Sequence, residues 1–248
     1  MKKIFKLQHI MDGIYCTRRL MYDMSYEYKA IIDENVLDRY NIIDNVIRKI
    51  ENPKAELKAF GIIKNEAVYK KLYSYLKTNK FQTYNYLTDH GKFKIYYRGL
   101  AKQIKNNNVI VPVFIHNSSK LTNDYINYKT MLVALRKTYG YILWCKVPAI
   151  KKRMKETDEQ FANRLMLNIE FEMLPLKVTP NELILITQNI MNVYNDIENS
   201  NYRPSIGSCK TITSKCKYFH LCWSNKTPST ITYKNPNREK DLFTEVKK

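Results

Sequence analysis

No apolar run in this chain approaches the length that spans a bilayer, so a transmembrane helix is not expected and no membrane partner with it. The opening stretch, Met1-Lys2-Lys3-Ile4-Phe5-Lys6, has neither a long apolar segment nor a small-residue cleavage site. Secretion is therefore not expected; the cytoplasm or a viral DNA-processing compartment is. Acidic residues are scarce, 23 against 42 lysines and arginines, which leaves a formal charge of +19. A basic chain gains affinity for polyanions by releasing their counterions. The Lys-, Asn-, Tyr- and Ile-rich text fits an AT-rich phage or mobile-element genome, but codon usage does not force acids to be few. A nucleic-acid partner is the expectation. No C-x-x-C pair occurs among the five cysteines. In a chain without a secretory signal, such cysteines point to metal ligands or plain thiols rather than disulfides.

What is present is enough for one good-sized domain: 248 residues, 44% of them hydrophobic. Three helices are expected first, over about Gln8–Met24, Asp33–Lys49 and Asn65–Thr78. In the second, Val36, Leu37, Tyr40, Ile43, Ile47 and Ile50 form a one-sided stripe. The period then changes. Phe81–Leu87 and Lys92–Tyr97 read as strands around the Asp89-His90-Gly91 turn, with a break at Gly99. Val109–Ile115 reads as a third strand, Asn123–Lys137 as a helix and Tyr141–Val147 as a fourth strand that includes Cys145 as a buried small hydrophobe. Further helices are expected over Glu156–Glu172 and from Thr179-Pro180-Asn181-Glu182 to about Asn199, the latter with a capping signature. The order helix, three strands, helix, strand gives an α+β sheet with helices on its faces. A helical part (8–80), a sheet core (81–147) and a helical, cysteine-bearing part (150–223) form one domain, 1–223, followed by a polar tail, 224–248.

Cys16 lies in Tyr15-Cys16-Thr17-Arg18-Arg19, and Cys209, Cys216 and Cys222 lie close together near the other end. Three thiols in a short loop can converge on one metal at little entropic cost, and a fourth from the N-terminus would staple the two ends together. Four thiolates also suit zinc, with His220 as a substitute ligand, although zinc favours closely spaced pairs.

The αβββαβ order, with Tyr15-Cys16-Thr17-Arg18-Arg19 before it and Cys216-Lys217-Tyr218-Phe219-His220-Leu221-Cys222 after it, resembles the iron–sulfur branch of the PD-(D/E)XK nuclease superfamily. That branch includes the CRISPR-associated RecB-like exonucleases and the AddB-type helicase–nucleases. The resemblance implies a restriction-endonuclease-like core sheet flanked by helices and a C-terminal cysteine-rich element. It also implies a 4Fe-4S cluster on Cys16, Cys209, Cys216 and Cys222. Such nucleases hold a divalent metal on carboxylates, with an aspartate after a glycine on the second strand and Glu/Asp-x-Lys on the third. Here Gly99-Leu100-Ala101-Lys102 offers lysine for the aspartate, and Phe114 and His116 fall at the acid and lysine positions. The family's N-terminal histidine has no counterpart between Cys16 and the first strand.

Phenylalanine cannot ligate a hard cation and lysine repels one, so magnesium or manganese is not expected. The resemblance implies a catalytically degenerate DNA-binding protein, acting as a non-catalytic subunit beside other proteins of DNA replication, recombination or processing. Arg18 and Arg19 are candidates to grip phosphate or to flank the cluster. Tyr84, Tyr86, Tyr96 and Tyr97 are candidates to stack on the bases of single-stranded DNA. One rival is an active exonuclease with carboxylates from Asp89, Asp124, Glu170 or Glu172. Another is an interaction or inhibitor module that mimics a nuclease subunit. His90 and His116 read as a turn residue and a strand end, and Glu56-Leu57-Lys58 as chance.

Overall fold

The computed structural model describes residues 2–17, 21, 28–30, 34–105, 107–116, 125–202 and 231–233. It is α+β, with mixed sheets flanked by helices. Strand β4 (Phe93–Ile104) is the longest. It pairs antiparallel with β3 (Gln82–Asp89) on one side. On the other it meets β1 (Lys3–Lys6, parallel) and then β5 (Asn107–Ile110, antiparallel). Strands β6 (Val113–His116), β7 (Tyr139–Lys146) and β8 (Glu170–Lys177) form a second sheet, β6 and β7 parallel, β7 and β8 antiparallel.

The run expected as one strand over 109–115 is the link between the sheets. Val111 N donates to Leu100 O at 2.9 Å, on the β4 side. Pro112 has no N–H to continue that ladder. Its carbonyl instead accepts from Leu143 N at 2.9 Å, so the chain passes from β4 to β7 at Pro112 and becomes β6.

Among the described residues six helices cover the strands: α1 (Leu7–Tyr15), α2 (Glu34–Glu51), α3 (Ile63–Thr78), α4 (Tyr125–Ala134), α5 (Asp158–Leu167) and α6 (Pro180–Glu198). Strand residues alternate between two cores, as the pleat requires. Phe93, Ile95, Ile110 and Ile142 pack with α1, α4 and α6, around Ile10, Leu132 and Ile190. Leu100, Val111, Leu143 and Cys145 pack with α2, α3 and α5, around Val46, Leu72 and Leu165. Gly140 lets α4 approach β7, because a Cβ there would meet Leu132 Cδ2 at 2.9 Å and the Ile110 carbonyl at 3.3 Å.

Several expectations are corrected. Gly99 does not break β4: the Tyr97 phenol lies where a Cβ on Gly99 would stand, so the strand runs on through the glycine. The helix expected over 156–172 ends at Leu167, and Glu170–Lys177 is a strand. Its alternation of Glu170, Phe171, Glu172 and Met173 suits an edge, where Pro175 is tolerated. The first helix stops at Tyr15, with Cys16 extended (φ −168°) at its C-cap. Within the segment expected as tail, β9 (Ile231–Tyr233) pairs antiparallel with β2 (Tyr28–Ala30).

Candidate nucleic-acid cleft and thiol site

The face that carries α1 and α4 opens into a cleft of about 530 Å³ above the middle of β4. Its position follows from the sheet. β1 leaves β4 after Tyr96, and the next partner joins at Leu100, where Val111 N donates to its carbonyl, so Tyr97–Gly99 lie in the gap where the chain turns from Lys6 into α1. From α1 come Leu7, Gln8, Met11 and Asp12, and from α4 Asn127, Tyr128 and Met131. The floor is Tyr96, Tyr97 and Arg98, with Lys6 at the junction. Gln8 Nε2 donates to Asp12 Oδ1 at 3.1 Å, one helical turn away.

Aromatic rings fill the sheet face around this cleft. Tyr97 lies at 6.2 Å from Tyr86, and Phe114 at 6.2 Å from Tyr128 in an edge-on pair. Phe114 stacks on His116 at 5.4 Å. Burial holds the Tyr97 phenol far above its ordinary range. Burial, with Tyr84 close by, pushes that of Tyr86 up to about 12, and among the described residues its buried hydroxyl has no hydrogen-bond partner. These phenols stay protonated at any physiological pH.

Lys102 is not part of this group. It follows Leu100 by two residues, so it faces the α2–α3 side, where its ammonium lies 5.2 Å from the Phe81 ring centroid. Phe114 and His116 face the opposite side, with Tyr97. The glycine-anchored position assigned from the sequence is thus out of phase with the third-strand pair by one residue. Tyr97 of β4 shares their face, with Phe93 and Ile95. Arg98 is committed elsewhere, since its Nε donates to Glu51 Oε1 at 2.8 Å and the pair holds its guanidinium charged.

The carboxylates of the active-exonuclease reading are also dispersed. Asp89 takes Lys2 Nζ at 2.8 Å and the Gly91 N–H at 2.7 Å, which lower its pKa. Glu172 pairs with Lys146 at 2.6 Å, beside buried Trp144, and Glu170 stands opposite Lys146 in the ladder. Asp124 lies outside the described residues. Among the described residues no group of three His, Cys, Asp or Glu side chains is placed to hold a metal ion. His90 is occupied too: its Nε2 lies 2.8 Å from the Ala134 carbonyl, and burial lowers its pKa.

No protein-family model and no curated protein matches the sequence. Among solved structures the chain is similar to the crystal structure of SSO0001, over 92% of this chain and 89% of that one, with a TM-score of 0.44 and 12% identity.

Of the four expected thiol ligands, Cys16 is described; Cys209, Cys216 and Cys222 lie outside the described residues, as do Arg18 and Arg19. Cys16 is 5% exposed, and its N–H closes α1 on the Asp12 carbonyl at 3.0 Å. Cys145 is different in kind: it sits on β7 within the α2–α3–α5 core, and burial pushes its thiol up to about 12. It is a core residue with no thiolate to offer. Among the described residues no helix is long and apolar enough to cross a membrane.

The sequence signals for the cleft were present but unused. Gln8 and Asp12, four apart, and Tyr128 and Met131, three apart, each share one face of a helix. Of the four tyrosines expected to stack on bases, Tyr96 and Tyr97 line the cleft and Tyr86 backs it. Tyr84 is 42% exposed on the edge strand β3.

Proposed function

We propose that this chain is a DNA-binding iron–sulfur protein of RecB-like nuclease fold whose catalytic site has lost its metal ligands, and that it serves as a non-catalytic subunit in DNA processing. The observation that supports the reading is a set of rings where the resemblance would call for an acid. Phe114, which the resemblance sets at the acid position, stands with His116, Tyr97 and Tyr128 on one side of the sheet. Rings offer no oxygen charge to magnesium or manganese, which demand several oxygen ligands. The sheet order supports the reading as well, since the β3–β4–β5/β6–α4–β7 run ends in a parallel pair with α4 as the crossover. The charge of +19 supplies sequence-independent affinity for the phosphate backbone.

Cys16, Cys209, Cys216 and Cys222 would hold the cluster, an all-thiolate set that suits 4Fe-4S and, as the alternative, zinc. The buried position of Cys16 at the end of α1 agrees with a ligand shielded from solvent. When bound, such a group contributes folding energy by tying the N-terminal helix to the C-terminal part.

The test is fluorescence anisotropy of a labelled single strand, with manganese present and the strand re-examined on a denaturing gel. The reading expects binding that weakens steeply with salt and a strand left intact. Cleavage that depends on Glu170 or Glu172 would overturn it in favour of the active enzyme.

A further inference from the structure

We infer that the cleft between α1 and α4 receives one unstacked nucleobase of a single-stranded nucleic acid. The inference rests on the DNA-binding reading above and adds to it a place and a recognised group. A volume of about 530 Å³ lies within the range of small-molecule sites, roughly 300–1,000 Å³, and is enough for a base with its sugar.

The walls suit a flat aromatic ligand. Tyr97 and Tyr128 present rings, and Met11 and Met131 add polarisable apolar surface. The Tyr97 ring is fixed from below, because it occupies the space that Gly99 leaves and is backed by Tyr86. The polar groups that converge on the same space are two amides and one carboxylate: Gln8, Asn127 and Asp12. An amide offers both a donor and an acceptor, the pattern that a base edge presents in return. Lys6, the residue before α1, lines the same space and brings a positive charge to it.

Other ligands fit less well. A divalent cation is held chiefly by carboxylates, of which the cleft has one, Asp12, and Asp12 already accepts from Gln8. A nucleobase uses the rings, the amides and the positive field of the chain together.

The test compares a short oligodeoxythymidine strand with a strand of the same length made wholly of abasic residues, by anisotropy at low salt. Both carry the same phosphates. Wild-type protein is expected to bind the thymidine strand roughly tenfold more tightly, the usual scale of one lost stack. Asn127→Trp, which fills the cleft from α4, should bring thymidine binding down to the abasic level and leave abasic binding unchanged. Gln8→Trp, from the opposite wall, should do the same and covers the case in which the first variant does not fold. Unchanged thymidine affinity in folded variants would overturn the base receptor while leaving DNA binding intact. Failure of the wild-type protein to bind either strand would remove the DNA-binding reading, and the receptor with it.

Discussion

On the α2–α3–α5 side of the sheet, Leu72, Leu76, Leu100, Leu143 and Cys145 are each no more than 3% exposed and close into a core. The α1–α4–α6 side is as apolar at its centre, around Leu132 and Ile142, yet it opens above β4 into a space lined by tyrosines and polar side chains. The cleft opens where the chain turns from β1 into α1 beside the edge of β4. β8 pairs β7 along its whole length and β6 pairs it from Leu143 to Lys146, whereas the edge of β4 changes partner from β1 to β5 across the cleft. A gap in pairing permits a gap in packing, and the residues that border it are those that a ligand can reach.

Substitutions should separate the two sides. Leu72→Ala, in the closed core, is expected to cost ~2–5 kcal/mol in urea unfolding through lost burial and an unfilled cavity. Tyr128→Ala, half-buried at the cleft, should cost ~1–2 kcal/mol. Equal losses would mean that the cleft side is packed as tightly as the other.

The two described cysteines sharpen the contrast. Cys16→Ala should lower stability by several kcal/mol and remove visible absorption from anaerobically purified protein, since metal-site energy is folding energy. Cys145→Ala should cost only about 1–2 kcal/mol and leave the absorption untouched. The same colour in both variants would separate Cys16 from the metal.

Gly99→Ala is a smaller perturbation aimed at the floor of the cleft. Its methyl group would displace the Tyr97 phenol, with an expected loss of ~1–3 kcal/mol by overpacking. A neutral result would show that the ring has another rotamer available and is not fixed by the glycine.

Acid should act smoothly and least. The Arg164 guanidinium holds Glu156 at about 2, and Lys129 with the Thr179 backbone holds Glu182 at about 2, both from an ordinary 4.5. The unfolded chain therefore takes up these protons first as pH falls. The two carboxylates contribute stability that is complete above 4.5 and lost between there and about 2. A Glu156→Gln, Glu182→Gln protein should show a shallower fall of urea midpoint over that window; an identical slope would remove both pairs from the account.

Much of this architecture is legible in the sequence where local chemistry decides. Thr179-Pro180-Asn181-Glu182 announces α6, and the structure places Thr179 as its N-cap with Glu182 closing the box. Helices α2 and α3 lie within two residues of their apolar stripes. Strand β1 is four residues long and exists through its parallel partner β4, so no pattern in Lys3–Lys6 reveals it. Strand β8 follows α5 with only Asn168 and Ile169 between, too little punctuation to mark a change of period. The site was harder, because which side of a strand a residue faces depends on register. One residue of phase separates Lys102, over Phe81, from the Tyr97–Phe114–His116 face, and nothing in Gly99-Leu100-Ala101-Lys102 discloses it.

Iron, acid-labile sulfide and zinc analysis of anaerobically purified protein, read with its visible spectrum, tests the central claim most directly. A brown protein with about four irons and four sulfides per chain is expected. A colourless protein, loaded with zinc or free of metal, would contradict it.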